Sequence, residues 1–222
     1  MPPKKKRMQT VLLSKDMIIL TRKYSQLNKV TGVTLRTDFE DLIAVPPTHS
    51  KSDWLIINAV EFFDRVEQLF VSSSLFCTSE TCPMFNAGPH YHYFWEDEAT
   101  EQPIQLSAPE YFMEFKRWTK RTLQNTTLFP RNNGAEISPQ SFDILKTIYR
   151  RTFRILAHLY MCHFSSIREF QFETIINTIL AHYTLFALRY ELISSMDVEM
   201  LRPVYSAMKI SLPDLEEEVP KE

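Results

Sequence analysis

Residues 148–164 read IYRRTFRILAHLYMCHF, and this stretch decides what kind of protein the chain makes. Phe142, Leu145, Ile148, Thr152, Ile155 and Leu159 recur at three- and four-residue spacing, the signature of a helix with one buried face. Ser138 and Pro139 supply its start, a hydroxyl cap followed by a proline whose missing N–H costs nothing in the first turn. The pattern predicts a long helix from there to about Tyr160. Lys146, Arg150 and Arg154 are spaced by four and Arg151 lies three before Arg154, so the four cations share one side of that helix. Guanidinium forks suit phosphate dianions, because each donates two charge-assisted hydrogen bonds. A solvated basic face, or one paired with acids of a neighbouring element, is the plainer reading of the same residues.

His158 and His163 stand five apart in this stretch. On an ideal helix they are rotated by roughly 140° from one another. The spacing therefore places His158 on the helix and His163 in a distorted or terminal turn, with Ser165 and Ser166 capping a following helix over 166–193. Cys77 and Cys82 flank four residues in a loop, with Pro83 next, and a short loop can turn two thiolates to one point. Two cysteines and two histidines together make a closed structural zinc site that ties the loop to the long helix. Cys162, four after His158, is a rival ligand, and so are His90 and His92 just after the cysteine loop. Three buried thiols with satisfied histidines are the alternative to any metal.

Further out, Leu55, Ala59, Phe62, Val66 and Leu69 predict a helix over 53–71. Ser107, Pro109 and Glu110 predict another from Tyr111 to Leu123, opened by a capping box. Residues 90–106 alternate and are rich in aromatics, which predicts a small β-hairpin around Asp97–Gln102. A last helix starts near Asp197, with Pro203 in its first turns. Residues 11–45 lack a period and suggest one helix plus an extended arm. Asp53, Ile57 and Glu61 recur every four residues with Trp54 beside them, an acidic stripe with an apolar centre that suits a basic partner helix. Trp54 in the core and the acids in water is the competing reading.

The chain has 222 residues, net charge −2, 44% hydrophobic and 13% aromatic residues with 16 Phe, which fits one large domain with a bulky core. Three glycines leave no phosphate-cradling loop, and H-E-x-x-H and the H-x-E…P-C-x-x-C deaminase pattern are absent, so no catalytic seat is visible. Near-neutral charge argues against nucleic acid as a partner. No apolar run is long enough to span a bilayer, and an odd cysteine count of 3 does not fit a secreted disulfide framework. An intracellular, reducing location follows, cytoplasmic and also nuclear if Lys4–Arg7 is an import signal rather than a solvated tail. The chain divides into a basic tail and variable arm over 1–45, a helical domain over 46–210 and an acidic tail over 211–222.

The segments FCTSETCPMFNAGPHYHYFW (76–95), LSAPEY (106–111), LFP (128–130) and IYRRTFRILAHLYMCHF (148–164) resemble the Mob/phocein family of kinase co-activators. The likeness runs from about Pro46 to about Val204 and is closest to the branch that activates NDR/LATS kinases; residues 1–45 do not match clearly. The resemblance implies an all-α helical bundle with flanking helices, a small hairpin and a zinc ion on Cys77, Cys82, His158 and His163, not on Cys162 or His90. It implies a non-catalytic adaptor that binds the basic N-terminal regulatory region of an NDR/LATS-type AGC kinase, with Asp53, Trp54, Ile57, Glu61, Phe129 and Pro130 at the contact. His49 falls where many members carry an acid. Arg150, Arg151 and Arg154 match the family's cluster for phosphopeptides of upstream Ste20/MST-like kinases. A phocein-like scaffold subunit of a phosphatase–kinase assembly is the alternative within the family.

Overall fold

The structure is a computed structural model that describes residues 31–35, 38–98, 102–130 and 134–212. The basic run Lys4–Arg7, residues 11–30 of the segment 11–45 expected to form one helix plus an extended arm, and the acidic residues Asp214–Glu222 lie outside them. Among the described residues seven α-helices follow in order: α1 Phe39–Ile43, α2 Lys51–Ser72, α3 Ala108–Leu123, α4 Pro139–Glu169, α5 Glu173–Arg189, α6 Ser195–Val198 and α7 Arg202–Ala207. The protein is mainly helical, as the periodicities predict.

Local signals set the helix starts. The Ser50 hydroxyl accepts from the Asp53 N–H at the head of α2, and the Ser138 hydroxyl accepts from the Ser141 N–H at the head of α4. Ser107 and Glu110 form a reciprocal capping box on α3, which satisfies two backbone donors that the first turn leaves unpaired.

The core lies where α2, α4 and α5 meet. Phe62 of α2 stands edge-on to Tyr149 of α4 and to Tyr183 and Phe186 of α5, with ring centroids 6.1, 5.3 and 5.5 Å away. Edge-to-face pairs of this kind contribute about 0.5–1.5 kcal/mol each beyond the area they bury. On the other side α3 closes against α2 through Phe63–Phe115 and the stacked pair Phe70–Phe112. Residues 31–35 run along α5: Asn177 donates to the Val33 carbonyl and Thr178 accepts from the Leu35 N–H. Gly32 is needed there. Its φ is +67°, and a Cβ at that position would lie 2.0 Å from the Ala207 carbonyl oxygen.

Two expectations are corrected. The long helix does not stop near Tyr160; α4 runs unbroken for 31 residues to Glu169. Residues 140–169 contain neither proline nor glycine, so Ser165 and Ser166 are carried inside the helix. The break comes at Gln171, in the left-handed region with φ +61°, and the next helix starts only at Glu173. The hairpin over 90–106 is not a two-stranded ladder among the described residues. Only isolated bridges occur, Asn86 with His92 and Trp95 with Ile104. Phe85 takes the Tyr93 N–H and gives its own to Leu106, so the bonds are shared among three segments. Pro103, one residue before Ile104, has no N–H to extend the pairing.

Candidate functional site

The cysteine loop follows α2 and is closed by its own backbone: the Cys77 N–H donates to the Ser73 carbonyl and the Cys82 N–H to the Thr78 carbonyl. This turns both thiols toward α4. Cys77 Sγ lies 3.3 Å from His158 Nε2, Cys82 Sγ lies 3.2 Å from His163 Nε2, and the two Nε2 atoms are 3.2 Å apart. All four donor atoms fall within 4.8 Å of one another, and all four residues are buried. With Zn–S near 2.3 Å and Zn–N near 2.0–2.1 Å, a tetrahedral site has N–N edges of about 3.3 Å and N–S edges of about 3.5 Å. The donors fit that size.

His158 is oriented from behind. Its Nδ1 lies 2.7 Å from the Asn86 carbonyl, which can only accept. Nδ1 therefore carries the proton, and a neutral ring presents its lone pair at Nε2 toward the thiols. Burial, followed by the neighbouring Cys82, pushes the Cys77 thiol up. Two adjacent buried thiolates need a cation between them, which is the electrostatic condition a zinc ion meets.

Both histidines project from regular helix, so the expectation of a distorted turn at His163 is corrected. Their rings meet edge to face with centroids 4.9 Å apart. Five residues rotate the backbone apart, yet each ring reaches out through its far nitrogen, and that reach closes the gap. Cys162 points elsewhere, its Sγ 3.2 Å from Asn86 Oδ1. His90 is exposed and His92 sits 3.1 Å from the Pro89 carbonyl, so neither joins the four donors.

The cations of α4 do not form one open patch. The Arg151 guanidinium is held between the Trp95 and Trp118 rings, 4.4 and 4.3 Å from their centroids, and donates to the Glu96 carbonyl. Its Nη1 is buried without a partner, and burial draws its pKa down. Arg154 donates to the Tyr111 hydroxyl at 3.0 Å and lies over the Tyr93 ring. Arg150 is exposed and lines a separate cavity with Lys146, Leu188 and Ser195.

Of the residues on the other candidate surface, the fold gathers Asp53, Ile57, Phe129 and Pro130 around one groove of about 600 Å³, which Thr48, His49 and Ser50 also line. Asp53 Oδ2 accepts from the Ser50 hydroxyl at 2.7 Å and the Gly134 N–H at 3.0 Å, and these bonds hold its carboxyl below the usual carboxylate range. Trp54 turns away from the groove, donating to the Ile43 carbonyl and packing on Phe186. Glu61 sits two turns beyond Asp53 and pairs with Arg65 at 2.6 Å. The residues that spacing alone does not find are Asn86, Trp95, Trp118 and Tyr111. Asn86 falls within the N-A-G-P run after the cysteine loop, a glycine–proline turn signal.

Set against known proteins, the chain matches a family model described as the Mob1/phocein family over residues 32–201. A protein named MOB kinase activator-like 1B from Medicago sativa subsp. falcata is 35% identical over 188 residues, which cover 84% of this chain and 87% of that one. MOB kinase activator-like 1A from Arabidopsis thaliana is 35% identical over 189 residues, with the same coverage. The Maintenance of ploidy protein mob1 of Schizosaccharomyces pombe is 29% identical over 188 residues, which cover 90% of its length.

Proposed function

Because the chain belongs to the Mob1/phocein family, we propose that it is a non-catalytic co-activator that docks on the basic N-terminal regulatory region of an NDR/LATS-type AGC kinase. Relatives named as kinase activators make a protein kinase the partner class. The observation that carries the finer reading is the groove in which Asp53 and Ile57 of α2 meet Phe129 and Pro130, some seventy residues away in sequence. It offers one fixed negative charge beside apolar walls, which suits a segment with arginines and leucines.

The four-donor cluster is proposed to hold zinc as a structural ion. The ion would cross-link the cysteine loop to α4, and four protein donors would leave no position for a reactive water. Phosphate recognition for upstream Ste20/MST-like kinase motifs is proposed to rest on Arg150 and Arg154 more than on Arg151, whose guanidinium already has two rings and a carbonyl. Residence in the cytoplasm and nucleus is proposed from the sequence alone.

The test is calorimetric titration with a peptide spanning the basic N-terminal region of an NDR/LATS-type kinase. Ile57 is 38% exposed, so Ile57→Lys leaves the core intact and places a like charge against the peptide. A loss of about tenfold or more in affinity is expected, on the scale of one well-placed contact. Unchanged affinity in that variant removes the groove from the interface. Glu61→Lys separates the two parts of the surface: a smaller loss than for Ile57→Lys is expected from a carboxylate already paired with Arg65.

A further inference from the structure

One residue of the segment that follows the cysteine loop reaches α4 twice. The Asn86 carbonyl lies 2.7 Å from His158 Nδ1, and the Asn86 Oδ1 accepts from the Cys162 thiol at 3.2 Å. His158, Met161 and Cys162 stand at i, i+3 and i+4, so they share one face of the helix. Gly88 completes the contact with that face. Its φ is +77°, and a Cβ there would lie 3.1 Å from Met161 Cε.

The Asn86 side chain also ties its own loop together. Its Oδ1 accepts from the Gly88 N–H at 3.2 Å, and its Nδ2 donates to the Met84 carbonyl at 2.9 Å. The amide has an acceptor and a donor for two places at once. A carboxylate cannot donate to Met84, a hydroxyl has one atom for the two, and an alkyl chain serves neither. The next peptide unit is held at both ends: the Asn86 carbonyl faces His158 Nδ1, and the Ala87 N–H donates to the Tyr91 carbonyl at 2.8 Å. Clamped this way, the carbonyl stays aimed at the imidazole and keeps the proton on Nδ1 and the lone pair on Nε2. A thiol is a weak donor, so the two backbone bonds carry most of the clamp and Cys162 little of it.

We infer that Asn86 is a positioning residue for the four-donor site: its side chain fixes the peptide whose carbonyl orients His158, and zinc affinity falls when that side chain is removed. The inference rests on the zinc reading above. It extends the site by a residue that is not itself a ligand and that sits four positions beyond the second cysteine.

Competition between the zinc-loaded 222-residue chain and a chelator of known affinity reads the zinc dissociation constant. Asn86→Ala is expected to weaken zinc binding about ten- to a hundredfold, the scale on which partners behind metal-bound histidines act. Asn86→Ser keeps an acceptor for the Gly88 N–H in the same kind of turn and is expected to lose less; it carries the comparison if the alanine variant does not fold. Phe186→Leu lowers stability through the core, where Phe186 packs on Phe62 and Tyr149, and is expected to bind zinc as wild type does. In isotope-edited NMR of the zinc-loaded proteins, the His158 Nδ1–H is expected to exchange with water faster in the Asn86 variants than in wild type or Phe186→Leu. Asn86 variants that hold zinc within about twofold of wild type, or an equal loss in Phe186→Leu, overturn the assignment and leave the zinc reading standing. A wild-type chain that binds no zinc overturns both.

Discussion

Replacing Arg151 by alanine separates what holds α4 in place from what α4 presents to a partner. The wild-type guanidinium lies between two indole rings, 4.4 and 4.3 Å from their centroids, and donates to the Glu96 carbonyl. Partly desolvated cation–π contacts contribute about 1–2 kcal/mol each, and a charged donor on a carbonyl adds about 1.5 kcal/mol. Against this stands the buried Nη1 with no partner, a penalty of about 1–2 kcal/mol that alanine relieves. The net loss expected for Arg151→Ala is about 3 kcal/mol. Arg150, exposed one residue earlier, is expected to change stability by less than about 0.5 kcal/mol when replaced by alanine. Urea unfolding followed by far-ultraviolet circular dichroism measures both without depending on the two tryptophans. With a urea slope of about 2–3 kcal/mol per molar for a chain of this size, Arg151→Ala lowers the midpoint by roughly 1 M. Equal midpoints for the two variants would refute the stabilising role of the sandwich. A binding defect in a variant lacking all three arginines is interpretable only alongside this measurement.

The four-donor site predicts a sharp contrast between neighbours. His163→Ala is expected to abolish stoichiometric zinc in the purified protein and to cost several kcal/mol of stability, since metal binding is then folding free energy; Cys162→Ala is expected to keep both. Elemental analysis with thermal melting decides, and a zinc-free Cys162→Ala protein would move the ligand assignment. Acid sensitivity is expected from His182, where burial first and the Arg65 charge second hold the pKa down to about 4. Its unfolded form takes up a proton near pH 6.5, so the unfolded chain binds more protons between about pH 6.5 and 4 and stability falls as pH falls through that window. The loss is about 3 kcal/mol at full development. His182→Phe is expected to flatten the dependence of the unfolding midpoint on pH over that range, and an unchanged slope would remove His182 as its source.

Much of this was readable in the residues. The caps at Ser107 and Ser138 are local chemistry, and the stripe from Leu145 to Leu159 is a period that backbone geometry imposes, so both appear where the sequence puts them. What local reading missed came from side-chain reach and from contacts distant in sequence. Rotation of the backbone argued His163 off the helix, whereas two rings extended through Nε2 converge from within it. Helical spacing put Arg150, Arg151 and Arg154 on one side. It could not show that Trp95 and Trp118, from separate segments, claim the middle one. Alternation suggested a hairpin, but Pro103 and the competing Phe85 segment divide the hydrogen bonds three ways. Asp53 and Glu61 follow the same four-residue rhythm, and only tertiary packing separates the groove from the exposed pair with Arg65.

The close approach of Gly32 to Ala207 has a topological meaning as well. Residues 31–35 and α7, the last helix among the described residues, touch, so the path from residue 32 to residue 207 is very nearly a closed ring. A short linker joining these two points would add little closure entropy, and a chain opened at a surface loop instead should fold to the same arrangement. A dye or fusion on one side of this seam would sit beside anything attached to the other, and the pair would report on each other before any partner arrived.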